Sequence, residues 1–549
     1  MKKKLFLILI LAFPLFTFSK LKILPIDTSE IKTFKTLKYS SAFITDNGKY
    51  IGYSQETSLY NYQHTIPVIF KSLDGNWQMT IDSIIGSYHL AANSKFAFFL
   101  KGESKLCILK LGGKEIEYIP DVQEYQVLLD NEKTILAYIT KGNNLTIYDI
   151  DTRKKFFFNN VLKYEFSPFS NKIAIVSKQC NNNCIYISDI NKNSKSIIWT
   201  GDNNINKIVF SKNGSQLTFS TDSTLWYYNL KIISKAEKLK IPFADDFTGL
   251  HNPVPTFFSR KGKLLFFKIY KKQAIGNNSS NMPNIYSYLD GAFDMSAEPD
   301  EISYMCCYNT QNGEFIRIEH DNEEMGDISI DEEKILISKR QGSPGEYYWN
   351  IKSLLRDYII NIDNKKRENI KTNFGKNILS PNGNFVIGYY NFSGDIICSD
   401  LVDKVSRNLT LDLPIPLVDD IQESPRSQKS RSLKFIKFIN HSKNVLVRDR
   451  YDLWLLSSKN IFSPINLTNG FGRKNHISFE LLNHNEDFNK TKEIILTAFN
   501  ETTKSSGFYK IRIGARRNPE FLSMGPYIYK DVQKAKDKDI WIVKRMSAA

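Results

Sequence analysis

One phrase recurs along this chain and limits what it can fold into. It opens with a turn of Asn, Gly, Pro, Ser or Asp and a lysine or other polar residue. An apolar strand rich in β-branched and aromatic residues follows, then a polar turn and a second strand holding an aromatic. Copies open at Thr45 (TDNGKYIGYSQ), Ala92, Asp130, Phe166 (FSPFSNKIAIVSK), Phe210 (FSKNGSQLTFSTDSTLWYYNL), Phe258 (FSRKGKLLFFKIY), Ile330, Leu379 (LSPNGNFVIGYY), Ile439 and Asp487. The spacing, roughly 40 to 70 residues, is that of a four-stranded supersecondary unit repeated in series. Each strand is bounded by turn residues and is too short and too β-branched for a helix. Helical periodicity is confined to Ile351–Tyr358, where a turn or two of helix is expected.

A single antiparallel sheet of this kind cannot bury both faces, so successive units must stack on one another. The expectation is an all-β chain, a β-propeller of four-stranded antiparallel blades, seven or eight in number. About ten copies exceed that number, so some are expected to be inserted hairpins, or the last to close against a strand near the N-terminus. A row of unrelated β-sandwiches would not repeat the same wording. The 37 Phe, 28 Tyr and 6 Trp supply enough apolar area to offset ordering entropy, which excludes a disordered chain. Trp226, Trp454 and Trp541 hold matching places in their units and read as packing aromatics. One repeated unit over residues 20–549 replaces the three or four domains that 549 residues would otherwise suggest.

Residues 1–19 read as an export signal. Lys2–Lys4 form a basic start, Leu5–Phe18 an apolar stretch broken by Pro14, and Thr17 and Ser19 present small residues for a cut before Lys20. The stretch is short for a membrane span, and no later run approaches the ~20 apolar residues a span needs. An exported protein, periplasmic or extracellular, with no transmembrane segment after cleavage is therefore expected. The net charge of +16 is spread over many loops, with dense stretches at Lys365–Arg367, Arg426–Arg431 and Arg512–Arg517. None carries a nucleic-acid-binding pattern, so a solvated basic surface and no nucleic-acid partner are expected.

Six cysteines in an exported chain permit disulfides. Cys180 and Cys184 flank three asparagines between two apolar runs, which suggests facing ends of a hairpin and a cross-strand bridge. Free thiols are the alternative, and zinc is disfavoured because no second Cys or His pair stands nearby. Cys306 and Cys307 are adjacent, and Cys107 and Cys398 read as small strand residues. His251–Thr256, residues 274–305 and residues 414–432 break the rhythm. Such long loops carry binding function or tolerated insertions.

The sequence holds no G-x-S-x-G elbow, no H-E-x-x-H, no P-loop, no dinucleotide fingerprint and no EF-hand. The seven histidines are dispersed. No catalytic residue, no metal ligand and no cofactor is therefore assigned, although scattered His and carboxylates of a large fold can converge on a central channel.

The repeated F-S-P-x-G-K-like turn resembles the blades of TolB-type propellers and of the propeller half of prolyl-oligopeptidase and dipeptidyl-peptidase-like enzymes. From about residue 435 the likeness is more specific. Tyr451–Trp454, Asn466–Arg473, Leu496–Asn500, Lys504 with Gly507–Tyr509, and Ala535–Trp541 resemble the closing blades of exported prolyl-oligopeptidase-like proteins of Bacteroidota type. In that family the propeller filters peptides for an α/β-hydrolase domain that follows it. The sequence given ends at Ala549, about where that domain would begin, so no family catalytic residue is carried over. The resemblance implies a non-catalytic part of a truncated or split protein that gates substrate or binds a peptide or protein, with a separately encoded hydrolase domain as a partner. A TolB-like envelope protein-binding module is the second reading. Dipeptidyl peptidases of the family hold the substrate amine with a pair of propeller glutamates. Glu323 and Glu324 are an adjacent pair of this kind here, although the residues around them do not match and an ordinary solvated turn is the competing reading.

Overall fold

The computed structural model describes residues 42–54, 65–90, 94–102, 104–129, 133–168, 170–190, 194–232, 234–242, 249–272, 301–340, 355–370, 377–390, 394–415, 417, 436–482 and 493–546. The expected signal segment, residues 274–300 and residues 418–432 lie outside them. The chain is all-β, built of four-stranded antiparallel sheets as in a β-propeller. Eight sheets have four strands in simple sequence order, one has seven strands and one has two. The seven-stranded sheet is two repeats fused through the 13-residue strand Gln78–Leu90. The first half of that strand pairs with Thr65–Ser72 and the second with Phe96–Lys101. Counted in this way the described strands form ten four-stranded units, one for each copy of the phrase, where some copies were expected to be inserted hairpins. The helical turn expected at 351–358 is not formed over its described part, because Leu355–Asn361 is a strand paired with Lys334–Arg340.

Two compact units are distinguished. One comprises Met1–Lys141, Tyr148–Lys154 and Asp531–Lys544, the other Gly142–Ile147, Lys155–Lys530 and Arg545–Ala549. In the first, the C-terminal segment returns to the first repeat: Gln533 Nε2 donates to the Ala42 carbonyl at 2.6 Å and the Asp537 amide to that of Asp46 at 3.0 Å. In the second, each sheet shares a core with the next. Leu225 and Tyr227 pack with Phe258, Leu265 and Phe267. Leu264 and Phe266 pack with Ile335 and Ile337, and Tyr389 and Cys398 with Val445 and Val447. Both faces of the middle strands are thus covered, which is why they read as near-continuous apolar runs. Of the three tryptophans, Trp226 stacks on Phe219 with rings 6.0 Å apart and Trp454 is buried with its Nε1 donating to Asp449. Trp541 is only half-buried, its Nε1 donating to Asp539.

The recurring turn has a physical cause. In five copies a buried Ser or Thr at its start closes it from both sides. The Ser211 amide donates to the Gln216 carbonyl at 2.9 Å. The Gln216 amide returns to Ser211 Oγ at 3.0 Å, and that hydroxyl donates to Asn213 Oδ1 at 2.7 Å. The same five-residue ring forms at Thr45–Tyr50, Ser259–Leu264, Ser329–Lys334 and Ser380–Phe385. A hydroxyl that both donates and accepts satisfies backbone groups that would otherwise be buried without partners.

Within the second unit these turns also touch each other. Ser167 Oγ donates to the Gly214 carbonyl at 3.1 Å, and the Ile330 amide donates to the Pro381 carbonyl at 2.7 Å. Glu332 has a positive φ of 68° where other copies have glycine. Its buried carboxylate accepts from Ser259 Oγ at 2.6 Å and from the Lys261 amide, so it ties one turn to the preceding one. Gly214 is required twice over. Its φ is 68°, and a Cβ there would stand 2.3 Å from the Pro168 carbonyl oxygen.

A polar defect lies between two sheets of this unit. Leu336 and Ile359 share a core with Leu379 and Val386 on the next sheet. Strand alternation puts Asp357 on the face of Ile359 and Asn377 on the face of Leu379. Asp357 is 1% exposed and Asn377 4%, and neither side chain has a hydrogen-bond partner on any of its polar atoms. Burial pushes the Asp357 carboxyl up to about 6, opposed only in part by Ser338 on the neighbouring strand.

Two outcomes are expected. Gly214→Ala should cost at least ~2 kcal/mol in denaturant unfolding, against ~1 kcal/mol for Gly514→Ala, which shares the positive φ but has open space around it; equal costs would show that the turns are not in contact. For Asp357 the folded state binds a proton more tightly than the unfolded chain. Its contribution to stability is full below pH ~4 and falls by roughly 3 kcal/mol as pH rises through about 6. Thermal melting of Asp357→Asn should therefore match wild type near pH 4 and exceed it at pH 7.5, and a difference independent of pH would contradict this.

Candidate functional site

The described residues offer a cleft of about 250 Å³ within the second unit, lined by Phe157–Asn160, Ile175, Ser177–Gln179, Tyr186 and Lys195. Its floor is the strand pair Lys172–Gln179 and Asn182–Asp189, in which Ile175 faces Tyr186 and Ser177 faces Cys184. One side is Phe157 and Phe158, at the end of a strand, and the turn residues Asn159 and Asn160 after it. The other is Ser194–Gly201, where Ile197 is the register partner of Tyr186. Alternation explains the lining. Ala174, Val176, Ile185 and Ile187 fill the core shared with the following sheet, so Ile175, Ser177 and Tyr186 face the opposite way.

Tyr186 is 6% exposed, and its buried hydroxyl has no hydrogen-bond partner. Burial raises its pKa, with the nearby Cys184 adding to the rise and the Ser177 and Gln179 side chains opposing it, so the group stays protonated and able to donate. Lys195 Nζ stands over the same ring at 5.8 Å. Neither Lys178 nor Lys195 has a carboxylate within ion-pair distance among the described residues, and the lining includes no Asp or Glu. Asn159, Asn160 and Gln179 supply amides, and Phe157 stands 70% exposed at the rim. The cleft therefore joins an unsatisfied buried donor, two cations, amide groups and an exposed aromatic.

The hairpin beside it does not carry the expected Cys180–Cys184 bridge, and both thiols are free. Gln179 pairs with Asn182, so Cys180 and Asn181 form the two-residue turn itself, with Cys180 exposed at a φ of 50°. Cys184 lies within the strand, opposite Ser177, with its Sγ 3.8 Å from Gln179 Oε1 and 3.7 Å from Thr200 Oγ1.

Glu323 and Glu324 lie on the strand Glu323–Ile328. As neighbours on a strand they point to opposite faces and do not converge on one point. The Glu323 side chain is buried, with Arg367 Nη1 at 2.7 Å, Lys339 Nζ at 3.8 Å and the His320 amide at 3.0 Å. Burial alone would raise its carboxyl, but hydrogen bonds from His320 and Arg367 and the Arg367 charge outweigh it and hold it at about 2. Glu324 is exposed.

The segments that carry the family resemblance form a tight polar corner. Asp452 accepts from Thr468 Oγ1 at 2.6 Å and from the Gly472 and Arg473 amides at the start of the short helix Phe471–Asn475. Asp449 accepts from the Tyr451 and Asp452 amides and from Trp454 Nε1. These carboxylates are consumed in closing the corner. Among the described residues no group of three or more His, Cys, Asp or Glu could hold a metal ion, and no helix is long and apolar enough to cross a membrane.

Tyr186 and Lys195 were not singled out from the sequence. The available signal was Tyr186 alternating with Ile185 and Ile187 in IYISDI, a polar-tipped aromatic on the face away from the aliphatic core.

No family model matches the sequence, and no curated protein matches it. Solved structures similar to it include a eukaryotic initiation factor, at 10% identity over 68% of this chain and 88% of that one, with a TM-score of 0.37. The tricorn protease matches at 10% identity over 78% of this chain and 43% of that one, with a TM-score of 0.28. Hsv2 of Kluyvelomyces marxianus matches at 8% identity over 61% of this chain and 97% of that one, with a TM-score of 0.30. With identities and TM-scores this low, the fold rests on the strand order above and not on these likenesses.

Proposed function

We propose that this chain is a propeller binding module that holds a peptide or an extended segment of a protein, without chemistry of its own. The observation that supports this most is the cleft at Tyr186. A buried hydroxyl left without a partner costs stability that an apolar residue would not, about 1–3 kcal/mol, and a ligand group arriving in the cleft would recover it. The amides of Asn159, Asn160 and Gln179 suit a peptide backbone, which offers donors and acceptors alike, and exposed Phe157 suits an apolar side chain beside it.

A finer reading follows from the resemblance of the closing segments. In it the module is an exported, substrate-gating part of a prolyl-oligopeptidase-like protein, working with a separately encoded hydrolase domain. On the second reading it is a TolB-like module that holds another protein in the envelope. In both, Cys180 and Cys184 pair only on oxidation that rearranges the turn. Glu323 reaches a substrate amine only by releasing Arg367, which makes the cleft the better candidate for ligand contact.

The test is direct. The purified full chain, applied to an array of random octapeptides, is expected to retain a subset with micromolar dissociation constants, to leave them uncut, and to show no serine labelled by a fluorophosphonate probe. Absence of any retained peptide would remove the binding role, and a labelled serine would overturn the non-catalytic reading.

A further inference from the structure

We infer that the cleft at Tyr186 recognises a carboxylate on its peptide ligand, an inference that rests on the peptide-binding reading above. Three features converge. The first is charge: Lys178 and Lys195 line the cleft, and no acidic residue does. A cleft lined by one sign of charge concentrates ligands of the other. The second is the vacant donor. Tyr186 lines the cleft and is 6% exposed, and its buried hydroxyl makes no hydrogen bond of normal geometry, with the Ser177 and Gln179 side chains beside it. A hydrogen bond from such a group to an ionised acceptor is roughly twice as strong as one between neutral groups. The third is size. About 250 Å³ admits one side chain or one chain end rather than a folded element.

The rim selects what stands next to that carboxylate. Phe157 is 70% exposed and Ile197, the register partner of Tyr186, is 47% exposed, so apolar surface flanks the polar floor. The ligand is therefore an acidic group next to an aliphatic or aromatic residue, with its backbone held by the amides of Asn159 and Asn160. Two sources share this chemistry, the C-terminal carboxylate of a chain and the side chain of Asp or Glu.

The experiment uses the full chain and the best-binding octapeptide from the array, labelled with fluorescein and followed by anisotropy. Amidation of its C-terminus, or replacement of its Asp by Asn and Glu by Gln, is expected to weaken binding at least tenfold, and the effective change assigns the source. Tyr186→Phe is expected to weaken binding about tenfold while melting at or above the wild-type temperature, since the hydroxyl it removes has no partner to lose. Lys195→Gln should weaken binding and flatten its dependence on salt. Three results would overturn the inference while leaving the binding role intact: affinity indifferent to every carboxylate change, wild-type affinity in both variants, or displacement of the peptide by inorganic phosphate below its own concentration. Failure to bind any octapeptide would instead remove the binding role itself.

Discussion

A buried hydroxyl at the start of five of the recurring turns holds those repeats together. Ser211, Ser259, Ser329 and Ser380 are each at most 3% exposed, and each accepts the backbone amide five residues later. The ring fixes the angle and register at which the first strand of a sheet gives way to the second. Two strands set in register place every apolar residue on its intended face, because a slip of one residue would turn them all to the other side. The turns then reach one another through Ser167 and Gly214, through Ser259 and Glu332, and through Ile330 and Pro381. A local hydrogen-bonding motif is in this way converted into a relation between neighbouring sheets.

Stacked sheets cover the faces of the strands but leave space near their outer ends, where the twist separates neighbours. The cleft between Phe157–Asn160 and Lys172–Gln179 is such a space. It is polar where most inter-sheet surface is apolar, and Tyr186 has no partner within it. The Asp357 and Asn377 side chains lie between two other sheets, and their polar atoms, like the Tyr186 hydroxyl, are sealed from solvent. The two sites carry the same kind of unsatisfied group, but only the first borders a cleft lined by cations and amides, which is why it reads as a place for a ligand.

Much of the fold was legible in the sequence because the turn chemistry is written in residues of few alternatives: a Ser or Thr, an Asn or Asp two places on, a Gly at the positive φ, a polar residue, then the apolar strand. Ten copies of the broader turn-and-strand pattern correspond to ten four-stranded units among the described strands. What was not legible depended on register. The spacing of Cys180 and Cys184 suggested facing positions, but pairing of Gln179 with Asn182 places the first in the turn and the second in the strand. Glu323 and Glu324 read as a pair in sequence, while the pleat separates them. The helical pattern at 351–358 yielded to the pairing of Leu355–Asn361 with its neighbour. The cleft itself depends on which face of IYISDI carries Tyr186 toward Phe157–Asn160, a fact that emerges only from the strand register.

The claim that a buried hydroxyl closes these turns is tested most directly by hydrogen exchange resolved to single amides on the intact chain. The amides of Gln216, Leu264, Lys334 and Phe385 donate to serine Oγ atoms and are predicted to exchange as slowly as the central strand amides beside them. Exchange at these four positions as fast as at the exposed turn amides of Asn76 and Ser215 would contradict the account.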